Sequence, residues 1–91
     1  MMIEKIGEPA MLEQLAEECM ELGKAALKKA RILRGENPTP VTLEESDQSL
    51  VEECTDVELC IRELNIASSP WIEEEKVERF RKRWEADHDR G

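Results

Sequence analysis

The chain has 91 residues and a formal net charge of -9, and charged residues make up 38% of it. This length suffices for one small domain, so we expect residues 1–91 to form a single domain. The acidic balance argues against a nucleic-acid partner bound through a basic surface. We expect no membrane segment, because no window holds 18 uncharged apolar residues, and the first residues lack a signal-peptide pattern.

Three cysteines, an odd number, occur at Cys19, Cys54 and Cys60, each inside a helical pattern. Cys54 and Cys60 are six residues apart, which places them on different sides of a helix and argues against a zinc site. Free cysteine usually behaves as a small buried hydrophobe. We therefore expect buried, reduced thiols in a cytoplasmic protein.

The first long helix is predicted from Pro9 to about Arg34, after a lead-in of residues 1–8. Pro9 suits a first helical turn, and Gly35 suits a C-cap. Gly23 falls on the apolar side, where it would permit another helix to approach closely. The apolar stripe recurs at helical spacing and comprises Leu12, Leu15, Cys19, Leu22, Ala26, Ala30 and Leu33, widened by Ala16, Met20 and Leu27.

A second helix is predicted from about residue 43 to 65, after a connector that contains two prolines. Thr42 suits an N-cap, with Glu45 completing a capping box. A third helix is predicted over residues 71–87, with Ser69 as its cap. No strand pattern occurs. The predicted fold is all-α: a helical hairpin plus a third helix, which assembles into a helical bundle by forming a homodimer or homotetramer, because so short a chain buries only a modest core.

Two acidic motifs lie on the first two helices: Glu17, Glu18 and Glu21 form EExxE, and Glu53 and Asp56 form ExxD. Residues three or four apart share a helix face. Carboxylates that face each other across a narrow gap repel and raise each other's pKa unless a cation lies between them. Such hard oxygen ligands suit Mg²⁺, Mn²⁺ or Ca²⁺.

Glu53 is placed by helical periodicity within the apolar face of the second helix, where a carboxylate needs a partner. A cation shared with the first helix would be one such partner, and an ion pair with Lys24 or Lys28 would be another. The first motif taken alone is also typical of a solvated helix face. A second functional hypothesis is therefore a non-enzymatic interaction module whose acidic face docks a basic protein.

The residues around the two acidic motifs also form a recognisable pattern, in two longer segments. Leu-Ala-Glu-Glu-Cys-Met-Glu-Leu-Gly-Lys-Ala and Glu-Glu-Cys-Thr-Asp-Val-Glu-Leu-Cys-Ile resemble the two catalytic helices of the MazG-like branch of the all-α nucleoside triphosphate pyrophosphatases. The resemblance covers residues from about 10 to 64. The spacer here is longer than in the shortest family members, and the family's later basic residues have no clean match.

The resemblance implies a Mg²⁺-dependent enzyme, with Mn²⁺ as an alternative metal, that hydrolyses a nucleoside triphosphate to the monophosphate and pyrophosphate. It implies that Glu18, Glu21, Glu53 and Asp56 are the metal ligands, and that Glu17 is a supporting acid or the base that orients water. Metal-bound water would attack the α-phosphorus. Within the same superfamily, a phosphoribosyl-ATP pyrophosphatase is a further alternative.

Candidate phosphate ligands are Lys24 and Lys28, which follow Glu21 on the acidic side of the first helix. Either lysine is equally consistent with an ordinary surface partner of an acid. Lys82 and Arg83 in the third helix are the other candidates, although a basic last turn also complements the helix dipole. The aromatic side chains of that helix are expected in a core or an interface rather than stacked on a base: Trp71, Phe80 and Trp84.

Overall fold

The computed structural model describes residues 1–36 and 40–89, with the side chain of Asp89 excepted. Four helices account for most of this part of the chain: α1 (Met2–Ile6), α2 (Glu8–Arg34), α3 (Leu43–Glu63) and α4 (Pro70–Asp89). The described ranges contain no strand, which confirms the predicted all-α class. Within them, no helix is both long enough and apolar enough to cross a membrane.

Two glycines, Gly7 and Gly35, determine where α2 begins and ends. Gly7 has a φ of 90° and separates α2 from α1, so the predicted lead-in is itself a short helix. Gly35 adopts the left-handed conformation at a φ of 69°, and its N–H donates to the Ile32 carbonyl at 3.2 Å. A side chain at this φ would be strained, which explains why the helix ends at a glycine.

The predicted caps of α3 and α4 are both confirmed. Thr42 Oγ1 accepts a hydrogen bond from the Glu45 N–H at 3.1 Å, and Glu45 Oε1 accepts one from the Thr42 N–H at 3.4 Å. This reciprocal pair is the capping box. At α4, Ser69 Oγ accepts from the Ile72 N–H at 3.3 Å. Residues 37–39 of the predicted connector lie outside the described residues.

Helices α2 and α3 pack side by side in opposite directions, and α1 packs on the start of α2. The Lys29 ammonium lies 2.6 Å from Asp47 Oδ1 and joins the end of α2 to the start of α3. At the opposite end of the hairpin, the Ile3 N–H donates to Glu63 Oε1 at 2.9 Å. The buried apolar side chains between the helices are Met11, Val57 and Cys60.

The apolar stripe predicted for α2 is only partly correct. Met11 is fully buried although the prediction omitted it, whereas the predicted members Leu12 and Leu33 are exposed. The stripe is broad, and a single partner helix covers only one side of it. The expectation of a close approach at Gly23 is wrong within this chain, because a Cβ added there would meet no atom within 4 Å.

The cysteine prediction is right for one residue and wrong for two. All three cysteines are free thiols, and Cys60 is buried as expected. Cys19 and Cys54 are exposed, because they lie on parts of the broad apolar faces that the hairpin leaves uncovered.

Helix α4 has few contacts with the rest of the chain; the extensive contacts are those of α2 with α3 and of α1 with α2. Its aromatic side chains, expected in a core or an interface, are uncovered within the chain, with Phe80 63% and Trp84 52% exposed. The Trp84 ring stacks on the His88 ring at a centroid distance of 3.8 Å, so its one described ring contact lies within α4. The hairpin therefore forms the packed part of the chain, and α4 leaves an apolar surface available.

Candidate metal centre

Three of the predicted acids meet where α2 faces α3. Glu18 from α2 and Glu53 and Asp56 from α3 each offer a carboxylate oxygen, and these oxygens lie within 4.8 Å of one another. Glu53 and Asp56 share a face because they are three residues apart on one helix. The antiparallel packing of the hairpin then places Glu18 opposite them. We call these three side chains the carboxylate trio.

Glu21 and Glu17, the other two predicted acids, lie outside the trio. Glu21 Oε1 is 3.5 Å from Lys24 Nζ, so this carboxylate is turned toward a lysine. Its charge nevertheless contributes to the raised pKa of Glu53, which places it next to the trio. Glu17 is exposed. The assignment of Glu21 as a ligand and of Glu17 as a base stays a prediction.

Glu53 of the trio is half-buried. Burial raises the pKa of the Glu53 carboxyl above its ordinary value, and the negative charges of Asp56 and Glu18 raise it further. The alternative ion pair with Lys24 or Lys28 is not formed: within the described ranges Glu53 has no salt-bridge partner, and Lys24 pairs with Glu21. A charged Glu53 is therefore unfavourable in the metal-free protein.

The donor set fits a hard divalent cation. The trio offers only carboxylate oxygens, and no cysteine sulfur or histidine nitrogen belongs to the group found in the described part of the chain. Oxygen ligands of this kind suit Mg²⁺ and Mn²⁺. A cation among the three would remove their mutual repulsion and the cost of a charged, half-buried Glu53.

Gln14 supports the trio and was missed by the sequence analysis. Its Nε2 donates to Glu18 Oε1 at 2.7 Å, and its side chain is half-buried. Side chains that hydrogen-bond a metal ligand fix its orientation and influence metal affinity. The only signal in the sequence is the spacing of four residues between Gln14 and Glu18, which places the two on one helix face.

One end of the trio opens into an apolar cavity of about 350 Å³. Glu18 and Asp56 border it, and Gln14 and Lys5 supply its other polar groups. Its remaining lining is apolar and comprises Met2, Ile6, Met11, Leu59 and Cys60. We call it the apolar cavity. Cavities of this size with a few polar groups at the rim are typical of small-molecule sites.

The other end of the trio opens into a polar cavity of about 220 Å³. Glu21 and Glu53 border it, and the two predicted phosphate ligands of α2, Lys24 and Lys28, line it. We call it the lysine cavity. A cavity that combines acids with lysines can hold an anion that carries its own metal ion.

The predicted phosphate ligands of the last helix are placed differently. Lys82 lines a separate groove along α4, and neither Lys82 nor Arg83 lines either cavity. Of the four predicted phosphate ligands, therefore, Lys24 and Lys28 line a cavity next to the carboxylate trio and the two on α4 do not.

Comparison of the chain with protein-family models, with curated proteins and with solved structures found no match. Function is therefore inferred from the trio, its two cavities and the motifs of α2 and α3.

Proposed function

We propose that the chain is a Mg²⁺-dependent nucleoside triphosphate pyrophosphohydrolase of the MazG-like kind, with Mn²⁺ as an alternative metal. One observation carries the proposal: carboxylates from two helices converge within 4.8 Å, and two of them, Glu18 and Glu53, are half-buried. Close, half-buried carboxylates without a cation repel one another, so the arrangement favours a bound metal over a solvated acidic face. The resemblance of residues 10–64 to the family's catalytic helices supports the same reading.

The proposed reaction is the one that the family resemblance implies, and the carboxylate donors of the trio are compatible with it. Glu18, Glu53 and Asp56 would hold the metal, with Glu21 as a proposed fourth ligand, and a metal there would supply Lewis-acid chemistry by lowering the pKa of a bound water and polarising phosphoryl oxygens. Gln14 orients Glu18 through its hydrogen bond. Hydrolysis forms a bond between the water oxygen and the α-phosphorus and breaks the bridge between the α- and β-phosphates. The products are a nucleoside monophosphate and pyrophosphate.

The apolar cavity is the proposed binding site of the nucleoside. It borders Glu18 and Asp56, so a base and sugar within it would present the α-phosphate to the trio. Its apolar walls favour a planar, uncharged base, and Gln14 offers a carboxamide for hydrogen bonding. The lysine cavity lies at the other end of the trio, where Lys24 and Lys28 can neutralise phosphate charge.

Assembly with a second copy is part of the proposal. Large apolar side chains remain exposed on α2, α3 and α4, among them Leu27 at 62% and Phe80 at 63%. Every copy has the same uncovered surfaces, so an isologous contact would cover both at once. We propose a homodimer or a homotetramer built from dimers. We also place the protein in the cytoplasm, where its free thiols would remain reduced.

The assembly is expected to depend on the exposed aromatic side chains of α4, Trp71, Phe80 and Trp84. Light scattering at micromolar concentration should return the mass of at least two chains. Phe80→Asp should raise the dissociation constant at least about tenfold, because it would bury a charge within the interface. Glu75→Gln, an uncharged substitution on the same helix, should leave the mass unchanged. A monomeric mass for the unmodified chain would refute the assembly.

Thermal melting with and without Mg²⁺ or Mn²⁺ separates the enzyme from the interaction module. A metal at about 100 times its dissociation constant stabilises the folded state by about 2.7 kcal/mol. For a domain of this size that corresponds to a rise on the order of 10 °C. The interaction module, whose acids would be solvated, predicts a shift no larger than that produced by the same ionic strength of NaCl. Equal shifts with MgCl₂ and NaCl would therefore contradict the enzyme.

A further inference from the structure

Ser46 carries a buried hydroxyl without a partner. The residue is 1% exposed, and its Oγ has no hydrogen bond to any group in the described part of the chain. A buried hydroxyl normally has a hydrogen-bond partner, because leaving one unsatisfied is unfavourable. Ser46 lines the lysine cavity. Ser46 therefore lies in the wall of the space next to the carboxylate trio, and its hydroxyl is closed to solvent in this conformation.

Lys28 is the second group in this cavity without a partner. Its side chain is half-buried and has no ion pair among the described residues. The neighbouring lysines differ, since Lys24 pairs with Glu21 at 3.5 Å and Lys29 with Asp47 at 2.6 Å. A half-buried ammonium and an orphan hydroxyl that line one cavity together offer donors to an anion.

The two cavities lie at opposite ends of the trio along the hairpin. The apolar cavity uses residues before Glu18 on α2 and after Asp56 on α3, whereas the lysine cavity uses residues after Glu18 and before Glu53. Ser46 lies two turns before Glu53, about 10 Å along the helix. A nucleoside in the apolar cavity would therefore direct its triphosphate across the trio toward Ser46 and Lys28.

We propose that Ser46 and Lys28 bind the β- and γ-phosphates, the portion that leaves as pyrophosphate; this rests on the proposed function. A rotation of the Ser46 side chain about χ1 would turn its hydroxyl into the cavity, where it donates to a phosphate oxygen, and the Lys28 ammonium offsets the negative charge of the same group. The site recognises a diphosphate group beyond the scissile bond. A nucleoside monophosphate lacks that group, so its affinity for the protein does not depend on Ser46.

Calorimetric titration of inorganic pyrophosphate in Mg²⁺ tests the site directly. Ser46→Ala and Lys28→Ala should each weaken pyrophosphate binding at least about tenfold, because each removes a donor to a charged group. Binding of a nucleoside monophosphate should change less than twofold. Ser68→Ala, in the exposed segment before α4, is the matched control and should alter neither affinity. Ser46→Ala should not lower the melting temperature, since it removes an unsatisfied hydroxyl.

Several outcomes would overturn the assignment. These are no pyrophosphate binding by the unmodified chain, unchanged pyrophosphate affinity in both variants, and an equal loss of pyrophosphate and monophosphate affinity in Ser46→Ala. The first two leave the proposed reaction standing if triphosphates are still hydrolysed. Conversely, pyrophosphate binding that depends on Ser46, in a protein that hydrolyses no triphosphate, would support the anion site and refute the reaction.

Discussion

Replacing Glu53 by glutamine is expected to lower the rate of Mg²⁺-dependent pyrophosphate release at least about 100-fold. Glu53 belongs to the carboxylate trio, and a neutral amide is a poorer ligand than a carboxylate for a hard dication. Changes to groups that only support a metal ligand already cost about 10–100-fold, so loss of a ligand should reach the upper end of that range or exceed it.

The control for this substitution is Glu74→Gln on α4. Glu74 is an exposed glutamate that lines neither the apolar cavity nor the lysine cavity. The Glu74→Gln variant should release pyrophosphate at the rate of the unmodified chain. If Glu53→Gln also retains a rate near that of the unmodified chain, the metal centre is assigned to the wrong residues.

The same substitution is expected to stabilise the protein when metal is removed with a chelator. The pKa of Glu53 is raised in the folded state above its ordinary value of 4.5. Between these two pKa values the folded state binds more protons than the unfolded state, so stability falls as pH rises through this window. A glutamine at position 53 does not ionise, so the variant does not lose stability as pH rises through this window. Glu53→Gln should therefore melt above the unmodified chain at pH 7, and the difference should shrink at pH 4; a lower melting temperature at pH 7 would contradict the raised pKa.

Nucleotide binding itself, and not only turnover, is expected to require Mg²⁺. The chain has a net charge of -9, which repels a free triphosphate, and the lysine cavity is bordered by Glu21 and Glu53. A metal ion held by the trio would reverse the local field. Titration calorimetry with a non-hydrolysable triphosphate analogue should show affinity at least about 100-fold higher with Mg²⁺ than with a chelator, a gain of about 2.7 kcal/mol.

The cations that assist this binding are expected to be those of α2. Lys28→Ala should raise KM more than it lowers kcat if the contact is equally strong in the ground state and the transition state. Arg83→Ala removes the same charge from α4, outside both cavities, and should change KM less. In the titration described above, equal affinity of the analogue with Mg²⁺ and with a chelator would contradict a role of the metal in substrate binding.

Helix boundaries could be predicted because they depend on local chemistry. Gly35 ends α2 through its left-handed conformation, Thr42 and Glu45 cap α3 reciprocally, and Ser69 caps α4. The pairing of Glu53 with Asp56 on one face likewise follows from helical spacing alone. Glu18 could be placed opposite them only by assuming that the two helices form a hairpin.

The interior of the hairpin was harder to predict because it depends on the rotation and register of α2 against α3. Met11 is buried and Leu12 is exposed, yet both belong to an apolar run with no sign of which side faces inward. Ser46 and Gln14 could not be recognised as site residues for the same reason. Their significance comes from what lies across the helix interface rather than from any local motif.

Hydrolysis in water labelled with ¹⁸O tests the central claim most directly. Each common nucleoside triphosphate would be incubated with the protein and Mg²⁺, and both products would be analysed by mass spectrometry. Attack at the α-phosphorus predicts equal amounts of monophosphate and pyrophosphate, with one ¹⁸O in the monophosphate and none in the pyrophosphate, and no reaction in a chelator. Label in the pyrophosphate, release of single phosphates, or hydrolysis of no triphosphate would contradict it.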